Sequence, residues 1–232
     1  MDECIKLSMV EKNLDSGLSF YLLRLIMNTI QYSSHDLQDS LENLLKNIME
    51  NFDLVTNNIK ENKNLNEERI LKLYQLQENL CFVMNQIFNK IIRDVNIELC
   101  LKLYNSIIDS FILRGGKVYE SGMLCLLNLI ILLFGNQESE QKLNENIFYK
   151  LLYAVIVNND EEGKNNKIIG VLCLINLIKI KSNSIKKYIK ELYETLKKLN
   201  DSEGEAKIED KTVKLINKAI EEIENNKGFL FG

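Results

Sequence analysis

Histidine, the side chain that most often acts as a general acid or base, is scarce in this sequence. The chain of 232 residues contains one histidine, His35, two residues after a serine that is typical of a helix start. With a single histidine in such a place, we expect neither a Ser-His-Asp triad nor a Cys-His nucleophile pair. The interpretation is a solvent-exposed histidine near a helix cap, and a protein that is not an enzyme.

The sequence also lacks the residue patterns that are typical of metal and cofactor sites. The five cysteines have no CxxC or CxxH spacing, which zinc sites use, and four of them lie in apolar helical stretches. The five cysteines are Cys4, Cys81, Cys100, Cys125 and Cys173, and the last four of these lie in the apolar stretches. We predict buried free thiols in a reducing compartment, no metal site and no cofactor.

Two short stretches resemble ligand-binding loops but lack the spacing that such loops need. "LRGGK" at 113–117 does not have the GxxxxGK[ST] pattern of a phosphate-binding loop. "DSEGEAKIED" at 201–210 is acidic but lacks the ligand positions of a calcium loop. Both are predicted to be turns between helices.

Polar residues at helical spacing are the better candidates for function, because they form stripes opposite apolar faces. Three predicted helices, the second, fourth and eighth, carry such residues: Asp39, Asn43, Asn47 and Glu50; Glu98, Lys102, Asn105 and Asp109; and Glu191 and Glu194 among lysines. We predict that these stripes bind a partner protein. The alternative for any one of these residues is an ordinary hydrated helix surface.

Composition limits the partners. The net charge is −4, which does not favour nucleic acid. The most apolar stretch, residues 123–134, contains one polar residue, Asn128, and is shorter than the roughly 20 residues of a membrane span. We therefore expect a helix covered by protein on most sides, and no membrane insertion.

The chain contains no proline, and apolar residues recur every three or four positions, so long helices are predicted. Ser33, Asp94 or Asn96, and Ser184 are the candidate helix caps, and "RGG" at 114–116 is a helix end. We predict nine helices and a frayed end at 226–232. The first spans about 17–31, the second precedes a loop at 61–68, the third and fourth lie between that loop and the "RGG" turn, and the rest span about 117–134, 139–157, 165–180, 185–199 and 206–225.

Alternate predicted helices begin near residues 17, 69, 117, 165 and 206. HEAT-type helix pairs recur about every 40–47 residues, and longer helices or loops extend that period. The predicted fold is therefore all-α, a HEAT-repeat α-solenoid, in which antiparallel helix pairs form a right-handed superhelix of about four and a half repeats. Residues 1–232 are interpreted as one solenoid segment, and the lack of polar capping repeats at 1–14 and 226–232 indicates a piece of a longer solenoid.

Four stretches resemble the interior HEAT repeats of the importin-β (karyopherin-β) nuclear transport receptors. They are "SGLSFYLLRLIMNTIQYS" followed by "LENLLKNIMENFDLV", "LQENLCFVMNQIFNKII", "GGKVYESGMLCLLNLIILLFG", and "YIKELYETLKKLNDSEGEAKIEDKTVKLINKAIEEI". The resemblance covers most of residues 17–225 in consistent order and includes the Gly-Gly turn before the fifth helix.

The resemblance implies a nuclear import receptor fragment that binds an importin-α-type adaptor or a basic cargo signal and contacts FG nucleoporins. It implies localisation in cytoplasm, nucleus and nuclear pore. In that family the basic helix is held by acidic side chains and tryptophans, and this chain has no tryptophan. It also has no acidic loop, and the family's main Ran-contacting repeats lie outside this fragment, so Ran-GTP binding is expected of a full-length receptor rather than of this fragment. The alternative function is a HEAT-repeat scaffold subunit of a phosphatase, kinase or coat complex.

Overall fold

The computed structural model describes residues 17–32, 38–61, 65–90, 96–134, 145–157, 164–201 and 210–231, together with residues 3, 4, 6, 140, 142 and 143. Of these, 88% are helical and none is in a strand. The all-α prediction is therefore confirmed. Two compact units divide the chain, Met1–Cys125 and Leu126–Gly232. The single solenoid segment stays a prediction.

Ten α-helices and one 3₁₀-helix are formed within the described ranges. They are α1 (Leu18–Tyr32), α2 (Gln38–Glu61), α3 (Glu67–Phe88), α4 (Ile97–Leu113), α5 (Glu120–Phe134), α6 (Glu145–Val157), α7 (Lys164–Lys179), the 3₁₀-helix Ser184–Lys187, α8 (Ile189–Asp201), α9 (Asp210–Asn225) and α10 (Lys227–Leu230). The predicted helices are all present. The fifth and sixth begin later than predicted, at Glu120 and Glu145.

In the first unit, α1 and α2 each pack against the next helix but one in the sequence, and α2 also packs against the helix that follows it. Helix α1 packs against α3, and α2 packs against both α3 and α4. The buried faces meet through apolar side chains at helical spacing, among them Ile26, Leu45, Phe52, Leu80 and Ile107. Since each helix buries one stripe, the opposite faces of α2 and α4 remain free to carry polar residues.

The second unit repeats this pattern with its own helices. Helix α6 packs against α7 and α8, and α9 packs against α7 and α8. Helix α7 is buried on most sides: Val171, Cys173, Leu174, Leu177 and Ile178 are 0% exposed. An apolar helix surrounded in this way needs no polar face, which explains its sequence.

Helix α5 contains the most apolar stretch of the sequence and is also covered on most sides. Seven of its apolar side chains are buried: Met123, Cys125, Leu126, Leu129, Ile130, Leu133 and Phe134. Among the described residues, no helix is both long and apolar enough to span a membrane. The expectation of a helix covered by protein is confirmed.

Asparagine and glycine define the ends of several helices. The Asn96 side chain accepts hydrogen bonds from the amides of Glu98 (2.9 Å) and Leu99 (3.2 Å), which confirms this predicted cap. After α4, the Gly115 and Gly116 amides donate to the carbonyls of Ile112 and Phe111, both at 2.9 Å. Both glycines have positive φ, 67° and 84°, as this C-terminal motif favours. Ser33 and Asp94 lie outside the described residues.

The same C-terminal motif closes α7, but with a lysine in place of glycine. The Lys181 and Ser182 amides donate to Ile178 (3.0 Å) and Leu177 (3.1 Å), and Lys181 has φ 53°. A side chain with a Cβ is strained in this left-handed conformation by about 1–2 kcal/mol. Glycine loses more chain entropy on folding, which offsets part of that strain.

We therefore expect Lys181→Gly to raise the free energy of unfolding by about 0.5–1 kcal/mol. The measurement is urea unfolding followed by far-UV circular dichroism. Lys181→Ala is the matched control, because it removes the same charge and keeps the Cβ. If both variants gain equally, removal of the charge is responsible and backbone strain is not.

The predicted cap at Ser184 is wrong. The Ser184 amide donates to the Glu140 carboxylate (3.0 Å). The Ser184 hydroxyl is hydrogen-bonded to the Ser182 hydroxyl (3.0 Å) and to the Tyr149 hydroxyl (3.1 Å). Ser182 Oγ also donates to Glu140. A buried carboxylate, distant in sequence, therefore satisfies the start of the 3₁₀-helix.

The predicted frayed end at 226–232 is also wrong for its described part. Residues Lys227–Leu230 form α10, and Leu230 is 3% exposed. The Phe231 ring lies edge-on to Tyr193, with ring centroids 6.3 Å apart, and the Lys186 ammonium lies 4.2 Å from the Phe229 ring centroid. Burial of one leucine and these aromatic contacts order the segment.

Arg114, at the end of α4, links α4 to α3 and to the start of α5. Its side chain is 10% exposed and donates to the Glu78 carboxylate (2.6 Å) and to the Tyr74 carbonyl (2.8 Å). The guanidinium also lies between the Tyr74 and Tyr119 rings, 4.3 and 4.1 Å from their centroids. We call Arg114, Glu78, Tyr74 and Tyr119 the arginine clamp.

Candidate functional site

The described residues do not contain a group of three or more histidine, cysteine or acidic side chains that could hold a metal ion. His35 lies outside the described residues. The candidate for function that the sequence predicts is the set of polar stripes on the second, fourth and eighth helices.

The predicted burial of the cysteines is confirmed for four of the five, because Cys81, Cys100, Cys125 and Cys173 are buried and free. Cys4 is partly exposed. Burial raises the pKa of the Cys100 thiol to about 12, and it also raises the pKa values of Cys125 and Cys173. These three thiols remain protonated near neutral pH, so they are poor nucleophiles and poor metal ligands.

One predicted residue of the second helix and two of the fourth lie close together at one edge of the first unit. A cleft of about 240 Å³ lies between the two helices, and its lining includes the predicted residues Asn43, Glu98 and Lys102. The other lining residues are Glu42, Lys46, Asn96 and Leu99. Packing of α2 on α4 brings these side chains together although more than 50 residues separate them in the sequence.

Farther along the same two helices, polar side chains pair directly. Lys60 Nζ lies 2.6 Å from the Asp109 carboxylate, and Ser106 Oγ donates to Asp53. Partial burial raises the pKa of the Asp53 carboxyl, while Lys102 and Lys60 oppose this effect and Asp109 adds to it. We call the cleft residues and these pairs together the α2–α4 edge. It consists of Glu42, Asn43, Lys46, Asp53 and Lys60 on α2, and of Glu98, Lys102, Ser106 and Asp109 on α4.

Charge is mixed along the α2–α4 edge. It carries four carboxylates and three ammonium groups, and Glu98 lies 3.8 Å from Lys102 one helical turn away. Exposed ion pairs of this kind contribute little to stability, so they exchange readily for pairs with a partner. An edge of this composition can form ion pairs and hydrogen bonds along another helix, with a slight preference for a basic one.

Some predicted residues lie elsewhere. Glu50 and Asn105 are exposed, and Asn47 is half-buried with its carbonyl accepting from Asn51 Nδ2 (2.7 Å). The Asp39 side chain lies outside the described side chains. Glu191 and Glu194 are exposed on α8, in the second unit.

Sequence reasoning missed Ser106 on α4 and four residues of α2, which are Glu42, Lys46, Asp53 and Lys60. Each of these four lies on the side of α2 that borders α4, next to the predicted stripe rather than on it. The predicted stacking of alternate helices is the signal that could have identified them. It places the side of α2 that borders its polar stripe next to α4.

Comparison with known proteins returned no relative. No protein-family model, curated protein or solved structure matches this chain. The resemblance to importin-β repeats therefore stays a prediction from the sequence.

Proposed function

We propose that this chain is a protein-binding array of helix pairs, without catalysis, whose α2–α4 edge binds a helical segment of a partner. The observation that carries the proposal is a cleft between α2 and α4 whose lining includes Asn43 of the second predicted stripe and Glu98 and Lys102 of the fourth. Packing of alternate helices in both units supports a HEAT-type solenoid. In such arrays, rows of side chains from successive helices form extended binding surfaces.

Among partners, we propose the basic helix of an importin-α-type adaptor or a basic cargo signal. The resemblance to importin-β repeats supports this choice, as does the surplus of carboxylates along the edge. In this proposal the protein acts in nuclear import, in the cytoplasm, nucleus and nuclear pore. FG nucleoporins are further partners, and Ran-GTP is a partner of a longer receptor. A HEAT scaffold of a phosphatase, kinase or coat complex is the alternative that binds neither ligand.

The test is a fluorescence-anisotropy titration with a labelled arginine-rich helix from an importin-α N-terminus. We expect saturable binding that weakens between about 50 and about 300 mM salt, since exposed charges are screened. Glu98→Lys turns the slight carboxylate surplus of the edge into a lysine surplus and should weaken binding by about tenfold. Lys102→Glu should strengthen binding, because it adds a carboxylate to the same cleft.

Glu221→Lys is the matched control, since it changes the same charge on an exposed residue of α9 in the second unit. Equal losses in Glu98→Lys and Glu221→Lys would indicate bulk electrostatics and would contradict the proposed edge. If neither the basic helix nor FG peptides bind, the scaffold alternative replaces nuclear import.

A further inference from the structure

Helix α1 has two apolar faces, of which one is buried against the described part of the first unit. Leu23, Ile26 and Ile30 are at most 1% exposed and form its core face. On the other side, Leu18, Tyr21, Leu25 and Tyr32 are 43%, 67%, 56% and 83% exposed. We call these last four the α1 stripe. Two tyrosines and two leucines exposed on one helix exceed the scattered apolar residues of an ordinary surface.

The spacing of the α1 stripe places its members along a single line. The four residues are at i, i+3, i+7 and i+14, which is one side of an α-helix. Thr29 fills the remaining turn, and its hydroxyl donates to the Leu25 carbonyl (2.8 Å), so it presents no unsatisfied donor. Arg24 is the one charged residue in the fifteen of α1. Such a line is suited to a partner helix rather than to water.

The stripe is also nearly symmetric about its centre, Leu25. Leu18 and Tyr32 lie seven residues to either side of Leu25, and Tyr21 and Thr29 lie four residues to either side. When two copies of such a helix pack antiparallel about Leu25, Leu18 of one copy lies opposite Tyr32 of the other, and Tyr21 lies opposite Thr29. The spacing therefore lets a second copy cover every member of the stripe.

The exposed area is sufficient for a dimer. The four members of the α1 stripe expose on the order of 500 Å² on each copy. Full coverage of the stripe on two copies would bury about 1,000 Å², which is the lower limit of a specific interface. The Phe20 and Tyr21 rings meet edge-on with centroids 5.7 Å apart, so part of the surface is already ordered.

We propose that the α1 stripe is the interface of a homodimer in which two α1 helices pack antiparallel across a two-fold axis at Leu25. This interface lies on α1, whereas the α2–α4 edge lies on two other helices. The proposal therefore does not depend on the proposed function.

The first test is sedimentation of the full chain over a range of concentrations. We expect the mass to rise from 27.0 kDa to twice that value. Leu25→Glu should remain monomeric, because it would place two carboxylates together at the axis. Leu71→Glu is the matched control, since Leu71 is a leucine of α3 that is 65% exposed and lies outside the stripe. Circular dichroism verifies that both variants fold.

The second test uses a crosslink at the axis. In a Cys4→Ser background, Leu25→Cys should form an intermolecular disulfide under mild oxidation, because the two Leu25 positions face each other. Leu71→Cys should remain monomeric under the same conditions. A wild-type chain that is monomeric at every concentration, or a Leu71→Cys variant that crosslinks as readily as Leu25→Cys, would overturn the homodimer.

Discussion

Replacing Arg114 by alanine should lower the free energy of unfolding by about 3 kcal/mol. The change removes an ion pair with Glu78, a hydrogen bond to the Tyr74 carbonyl, and the cation between two aromatic rings. The Arg114 side chain is 10% exposed, so water cannot fully replace these interactions. Urea unfolding followed by far-UV circular dichroism measures the loss.

Two further variants separate the contributions to the arginine clamp. Arg114→Lys keeps the charge but lacks the planar fork, so we expect about half the loss. Glu78→Gln should cost less than Arg114→Ala, because the Glu78 side chain is 38% exposed and can be solvated. The clamp would be unimportant for stability if Arg114→Ala changed the free energy of unfolding by less than about 0.5 kcal/mol, as surface substitutions do.

Gly122→Ala should also be strongly destabilising, by about 2–3 kcal/mol. A Cβ at Gly122 would lie 2.7 Å from Tyr119 Cε2 and 2.9 Å from Phe111 Cε1. Both rings are buried and meet edge-on, and the Tyr119 hydroxyl is paired with Ser110 Oγ (2.9 Å), so neither ring can move away easily. Alanine normally stabilises a helix relative to glycine by about 1 kcal/mol. Here the steric overlap outweighs that gain.

Gly228→Ala is the matched control, because α10 offers nothing within 4 Å of a Cβ at that position. This variant should be neutral or slightly stabilising. Thermal unfolding by circular dichroism should therefore give opposite shifts of Tm for the two substitutions. A gain in Tm for Gly122→Ala would mean that the two rings repack at little cost.

Local patterns predicted the helices well, because apolar spacing and end residues act within a few positions. Asn96 and the Gly115–Gly116 turn depend on bonds to residues two to five positions away. Ser184 was misassigned because its partner, Glu140, lies 44 residues away and is joined by tertiary folding. Arg114 has the same limitation, since its partners on α3 are 36–40 residues earlier in the chain.

The same contrast between local patterns and tertiary contacts applies to the candidate site. Helical spacing identified Asn43, Glu98 and Lys102 as surface residues, but the contact between α2 and α4 was needed to place them at one cleft. The pairing of Lys60 with Asp109 depends on the register of the two helices, which no local pattern encodes.

The four buried thiols resist oxidation while the chain is folded. Four of its five sulfhydryl groups are shielded from peroxide and from alkylating reagents until part of the fold opens. Cys81, Cys100 and Cys125 belong to the first unit and Cys173 to the second. The rate at which each thiol is modified therefore reports how often its own unit opens, and sulfur chemistry can follow the internal motions of the two halves separately.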